Sequence, residues 1–328
     1  MSVFRAIGNF WQKTYRPLIY TATLILVWLG AVTNRQLSIK VEEATSVAFE
    51  TVENLPAYRA KEIAQQEEKL ALMEKSGAEI ADLENQRTLI SDLKANKNGV
   101  LLICFDFDPG CDAELGPQVA AILRHCFSRG VKVIMNIGGN VMSQPLAQQA
   151  LDEAARDGAR LNPPYPLMES GKDYVFLGFR PNAFQLYLQM GESIVAAYET
   201  DYAGRNLSDM PIMQHIKDFR TIDVVVDVSA YVGAPETWIA IGNAKFKKAV
   251  ILGMGAIGAS DYYPFLQSKQ IAGLLPGVRG AAEYETALKC PGAGSKRMWS
   301  QLYSHVLAIF LILLGNVEFF FKPKRRKT

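Results

Sequence analysis

Between Gly99 and Met254 the chain sets out five short apolar runs with segments patterned as helices between them. The runs are VLLICFDF (100–107), VKVIMNI (131–137), DYVFLGF (173–179), TIDVVVDVSA (221–230) and KAVILGM (248–254). Their apolar residues fall at consecutive rather than alternate positions, as in strands covered on both faces. The segments between them, such as GPQVAAILRHCFSRG and PLAQQALDEAARDG, close on a glycine, which suits a helix end. Strand–helix alternation with crossovers of this length predicts an α/β fold: a doubly wound, mostly parallel sheet with flanking helices. We place this Rossmann-like domain over residues 99–260.

The flanks are patterned differently. Residues 34–98 are rich in Glu, Lys, Gln and Ala, with apolar residues at Ile63, Leu70, Met73, Ile80, Leu83, Ile90 and Leu93. That narrow helical stripe predicts a helical stalk. Pro17–Thr33 runs 17 residues without a charge, and Leu302–Phe321 runs 20 with Glu318 as its one formal charge. About 17–25 apolar helical residues cross a bilayer core, so both runs predict transmembrane helices, at 17–33 and 301–321. Arg5, Lys13 and Arg16 precede the first, and KPKRRKT follows the second as a basic tail, 322–328. Positive flanks stay inside, which predicts cytoplasmic termini and a main domain outside a bacterial or archaeal inner membrane. Val3, Phe4, Ile7, Phe10 and Trp11 share one helical face, predicting an interfacial helix over 1–16 with membrane lipid as its partner. A net charge of +2 gives no reason to expect nucleic acid.

Gly253–Gly258, GMGAIG, matches the spacing of the dinucleotide fingerprint. That fingerprint opens the first βαβ unit, with an acid about 20 residues later. Here it follows the fifth apolar run, no further strand is predicted, and Pro264 interrupts the next segment. We read it as a glycine-rich turn.

The stronger chemical signal is FDFDPGCDAELG, which puts Asp106, Asp108, Asp112 and Glu114 at the carboxyl end of the first strand. Ligands of open α/β sheets bind at that edge. Asn136 and Asn140 follow the second strand; Asp227 and Ser229 end the fourth. The candidate ligand-binding residues are Asp106, Asp108, Asn136 and Asp227. The expectation is no cofactor, with Mg²⁺ or Ca²⁺ on Asp106, Asp108 and Asp227 as the alternative. Without a ligand, the same loop is a turn whose acids favour the following helix N-terminus. An Asp-x-Asp pair after an apolar strand also resembles the haloacid-dehalogenase-type phosphatases. That resemblance implies Asp106 as nucleophile, Asp108 as acid/base, Lys217 against phosphate, and Asp223 or Asp227 toward Mg²⁺. Pro109-Gly110 replaces the usual Gly-Thr, and no Ser or Thr ends the second strand, where MNIGGN stands.

Cys104, Cys111, Cys126 and Cys290 form no Cys-x-x-Cys pair, so the pattern does not predict a zinc site. Cys104 and Cys126 lie in apolar runs and read as core. His125 and His215 fall in helical segments, and the residue order offers no nucleophile elbow or hydrolytic triad. Residues 261–300 form a glycine-rich helical region, where Gly273, Gly277 and Gly280 are candidates for an assembly surface. Asn316 in the last apolar run joins them, with Ser304, His305 and Glu318 as further polar groups.

DYVFLGFRP, TDYAGRNLSDMPIM, YYPFLQSKQIAGLLPGVRGAAEYE and GNVEFF together resemble a family of prokaryotic membrane proteins with a span at each end and a Rossmann-like domain between. The resemblance implies topology and domain order but no chemistry. The function these features favour is a non-catalytic scaffold or accessory subunit of a membrane assembly, as a homo-oligomer or in a complex. A metal-dependent hydrolase or ligand sensor built on the acidic loop is the alternative.

Overall fold

The computed structural model describes residues 17–30, 32, 33 and 39–321. It divides into two compact units, residues 39–294 and residues 1–38 with 295–328.

The first unit is built on one six-stranded sheet. Its strands are β1 (Val100–Asp106), β2 (Lys132–Ile137), β3 (Tyr174–Phe179), β4 (Val224–Ser229), β5 (Ala249–Met254) and β6 (Gly273–Pro276). They lie in the order β3-β2-β1-β4-β5-β6, and all five pairings are parallel. Both faces are covered, which is why the runs are apolar throughout. One face packs under α2 (Glu43–Glu53), α5 (Asp112–Ser128), α6 (Gln144–Arg156) and α11 (Gly277–Ala287). The other packs under α7 (Ala183–Glu192), α8 (Ile194–Tyr198), α9 (Ala234–Trp238), the π-helix Ile239–Lys245 and α10 (Tyr263–Gln267).

Several expectations need correction. Gly273–Pro276, read as part of a helical region, is the sixth strand. At four residues it is too short to carry a visible period. The segment MPIMQHIKDF (210–219), patterned as a helix in the sequence, forms only the short 3₁₀ turn Pro211–Gln214, because Pro211 sets a turn. In the expected stalk, α2 buries Ala44, Thr45, Ala48 and Val52, so it belongs to the domain core. Beyond it, α3 (Leu55–Ser76) and α4 (Ile80–Ala95) are joined through Gly77, whose φ of 71° suits glycine.

The transmembrane bracketing is also corrected: among the described residues, no helix is long and apolar enough to cross a membrane. The described part of the first helix, α1, covers residues 17–30. The last, α12 (Ala293–Phe321), carries Lys296, Arg297, Ser300, Gln301, Ser304 and His305 in its first half. The membrane and periplasmic placement that rested on those spans loses its support. Within this unit α1 and α12 approach closely at Gly30, where a Cβ would stand 2.4 Å from Ser300 Cα. Residues 1–16 and 322–328, with the interfacial helix and basic tail expected there, lie outside the described residues, as does the Glu318 side chain.

Candidate functional site

The strand order sends the chain to one side of β1 through β2 and β3, and to the other through β4, β5 and β6. A crevice therefore opens between the carboxyl ends of β1 and β4, the position where open α/β sheets take ligands. Asp106 ends β1 in register with Ser229 at the end of β4. Two residues earlier, Cys104 lies between Asn136 of β2 and Asp227 of β4. Side chains alternate along a strand, so Cys104 and Asp106 share the face of Leu102, and Asn136 and Asp227 share it with Ile134 and Val225. A polar row crosses three strands on an otherwise apolar face. Tyr187, Tyr198 and Trp238 belong to the core on that face. Tyr187 stacks on Trp238 at 3.9 Å between ring centroids, and its hydroxyl lies 3.2 Å from Cys104 Sγ.

This row is buried without being satisfied. Asn136 and Asp227 have no exposed surface, and among the described residues neither side chain makes a hydrogen bond of normal geometry; Asp227 has only the weak Cys104 thiol as a donor, and Asn136 only the Tyr198 hydroxyl. Asp106 Oδ1 is unpartnered in the same sense. Burial pushes the Asp106 carboxyl up to about 6, against the opposing influence of the Gly139 amide. Asp227 is held far above the ordinary carboxylate range, first by burial and then by the negative charges of Asp106 and Glu236. The Cys104 thiol is raised for the same reasons: burial, then Asp227 and Asp106. One oxygen of each aspartate and the Cys104 sulfur all lie within 4.8 Å of one another. Charged groups so placed cost free energy unless something compensates them.

Above the row lies a cavity of about 460 Å³ lined by Asp106, Gly138, Gly139, Asn140, Ala183, Tyr187, Tyr231, Val232, Gly233, Ala234 and Thr237. The glycine pair makes room for the acid. A Cβ at Gly139 would stand 2.2 Å from Asp106 Oδ1, and one at Gly138 2.3 Å from the Tyr187 hydroxyl. No lysine or arginine is in the lining. Exposed apolar side chains ring the same edge from four loops or helix starts: Val141 and Met142, Phe184, Val232, and Ile257.

The structure thus brings together three of the four expected ligand-binding residues, Asp106, Asn136 and Asp227. Asp108 is the correction. It caps the 3₁₀ turn Pro109–Cys111, accepting from the Gly110 amide at 2.7 Å, and its other oxygen accepts from the Tyr231 hydroxyl. The Mg²⁺ or Ca²⁺ triad of Asp106, Asp108 and Asp227 is therefore not assembled; Cys104 takes the third place. The phosphatase-like constellation is not assembled either. Asp223 precedes β4 at the opposite edge, paired with Arg59, and Lys217 bonds Asp92 at 3.1 Å.

The GMGAIG turn follows β5, which is the fifth of six strands rather than the last. Its Ala256 amide donates to Glu114 Oε1 at 2.7 Å, an acid where a phosphate would need the amide. Gly273, Gly277 and Gly280 are buried inside the unit, against Ala48, Glu114 with Ala256, and Leu275, so they do not form an assembly surface. Asn316 is exposed and donates within its own helix to Ile312 O at 2.9 Å. All four cysteines are free thiols.

Sequence reasoning missed Cys104, Tyr187 and Trp238. The available signal was the Cys-x-Asp spacing in VLLICFD, which puts both side chains on one face of a strand. No family model, no curated protein and no solved structure matches this chain.

Proposed function

We propose that the α/β unit is a binding module for a small ligand carrying positive charge, seated between β1 and β4 with its charge against Asp106. The ligand-sensor alternative read from the acidic loop is favoured over phosphatase chemistry. One observation carries it: a buried row holds two carboxyl groups with oxygens that no donor of normal geometry satisfies among the described residues, beneath a cavity that has no cation in its lining. An anionic ligand would meet the acids with nothing to offset them, whereas a cation satisfies both. The apolar rim suits the body of an organic cation or the contact surface of a partner that delivers one.

Thermal melting of the full chain against Zn²⁺, Mg²⁺, alkylammonium ions and inorganic phosphate tests this. A ligand at a hundredfold excess over Kd stabilises by about 2.7 kcal/mol, several degrees in Tm. Stabilisation by a cation, lost in Asp106→Asn, is expected. Stabilisation by phosphate alone, or by nothing in the panel, contradicts it.

A second reading concerns the other unit. Leu18, Tyr20 and Leu24 of α1, with Val306, Ile309 and Ile312 of α12, are exposed. Apolar surface of this extent marks association, and we infer self-association of copies through these helices, the homo-oligomer expected from the sequence. Sedimentation velocity should give a dimer or larger for the parent and a monomer for Leu24→Glu combined with Ile309→Glu. A monomeric parent removes this reading.

A further inference from the structure

We propose that Cys104, Asp106 and Asp227 hold a divalent transition-metal ion of the zinc class at the floor of the cavity. This deepens the reading above and rests on it, the metal being the positive charge that reading calls for.

The donor set is the first argument. The three ligand atoms lie within 4.8 Å of one another. Zn–S bonds of about 2.3 Å and Zn–O bonds of about 2.0–2.2 Å put tetrahedral ligand atoms roughly 3.5 Å apart. Asp227 is fully buried, and among the described residues its carboxyl has no donor of normal geometry, only the weak thiol of Cys104. An acidic pair held only as a turn device would not be sunk this way into an apolar core.

The surroundings of the sulfur are the second argument. The Tyr187 hydroxyl lies 3.2 Å from Cys104 Sγ. The Trp238 indole N–H, which has no acceptor of normal geometry among the described residues, faces the same sulfur. A thiol is a poor acceptor for two donors; a metal-bound thiolate takes both, and such outer contacts orient a ligand. A thiolate beside two carboxylates is tolerable only with a cation among them. Two positive charges against three negative ones leave the filled site at one negative charge. The protons of the Cys104 thiol and the Asp227 carboxyl pass to solvent when the ion binds.

Sulfur selects against Mg²⁺ and Ca²⁺, which take oxygen ligands, and the two carboxylates select against Cu(I). Asn136 lies beside Cys104 in register, with a free amide oxygen. On the other side, Gly138 and Gly139 keep the approach from the cavity open. Of the three ligands Asp106 lines the cavity, so an exogenous ligand would reach the ion on the Asp106 side.

The test is reconstitution of the chelator-treated full chain with Co²⁺. One Co²⁺ per chain is expected, with a thiolate-to-cobalt charge-transfer band in the near ultraviolet and displacement by Zn²⁺ but not Mg²⁺. Cys104→Ser should lose that band, and Asp227→Asn should weaken Co²⁺ binding at least tenfold. If Cys104→Ser does not fold, the triple variant Cys111→Ser, Cys126→Ala, Cys290→Ser serves instead, and it should keep the band. Absence of bound Co²⁺, binding without the band, or a band that survives in Cys104→Ser or vanishes in the triple variant would overturn the assignment. Should alkylammonium or Mg²⁺ stabilise the protein through Asp106 while Co²⁺ and Zn²⁺ do nothing, the metal fails and the ligand site stands. Should no cation act, both fail.

Discussion

Two buried polar clusters lie on opposite faces of this sheet, and they are finished differently. On one face His125 of α5 is fully enclosed, with Nδ1 2.8 Å from the Tyr284 hydroxyl and Nε2 2.8 Å from Glu53. A carboxylate only accepts, so Nε2 carries the proton and Nδ1 accepts from Tyr284. Arg129 Nε donates to the same carboxylate at 3.0 Å, and Phe49 stacks on the imidazole at 4.4 Å. Every polar atom of the ring is used, and the cluster ties α2, α5 and α11 together. On the other face Asn136 and Asp227 are as deeply buried, and among the described residues neither has a hydrogen bond of normal geometry. The first cluster is a brace. The second is held at a cost to stability, as a site waiting on something outside the chain is.

The comparison breaks first at His125. His125→Ala removes the ring and strands Glu53 and Tyr284, so it should cost roughly 3–5 kcal/mol in chemical denaturation. A loss below 1 kcal/mol would show that the brace bears nothing.

Acid should act next. Burial lowers the His125 pKa to about 4, against the opposing pull of Glu53. The unfolded imidazole protonates near 6.5, so the unfolded state binds the extra proton first. Stability from this group is complete above pH 6.5 and is lost as pH falls toward about 4, by up to roughly 3 kcal/mol. Glu53 acts in the same direction, its pKa being lowered by the bonds from Arg129 and His125 despite its burial. Asp106 and Asp227, whose pKa values are raised, act in the opposite direction in parent and variant alike. In unfolding free energies it is therefore the stability advantage of the parent over His125→Gln that should shrink as pH falls from 7 to 4. Equal slopes would remove His125 from the account.

The opposing cluster is sharpened by Gly139→Ala. The added methyl runs into the Asp106 carboxylate, so stability should fall by about 1–3 kcal/mol and cation-induced stabilisation should disappear. Calorimetric titration that finds unchanged affinity would mean Asp106 is not where the ligand sits. The smallest effect is expected from Tyr231→Phe, which removes the hydrogen bond to Asp108 across the cavity mouth. Its Tm should match the parent, with ligand affinity down less than tenfold; a large change in Tm would make this contact structural rather than part of the rim.

These contrasts explain what the sequence could reveal. The five apolar runs are long enough to show strands buried on both faces, and Asp106, Asn136 and Asp227 were legible because they end or interrupt such runs. Gly273–Pro276 was hidden, since four residues beside Pro276 and a helix start carry no period of their own. Apolar content at the chain ends read as membrane spans, but the 302–321 window leaves out the polar start of α12 at Lys296, Arg297 and Ser300. Cys104 was hidden for a different reason. A cysteine in an apolar run is ordinarily core, and only the register with Asn136 and Asp227, set by long-range pairing, makes it part of a polar row. Asp108 misled because turn geometry decides where its side chain points, and Asp-Pro-Gly turns it to the rim.

The central claim is that the acid row is retained for a cation and not for the fold. The unfolding free energy of Asp227→Asn against the parent tests it most directly, measured in chelator and again with saturating Zn²⁺. The account predicts that the variant is the more stable of the two in chelator, because an unpartnered buried acid is gone, and the less stable of the two with Zn²⁺. A variant less stable than the parent under both conditions, with no response of the parent to the ion, would contradict it.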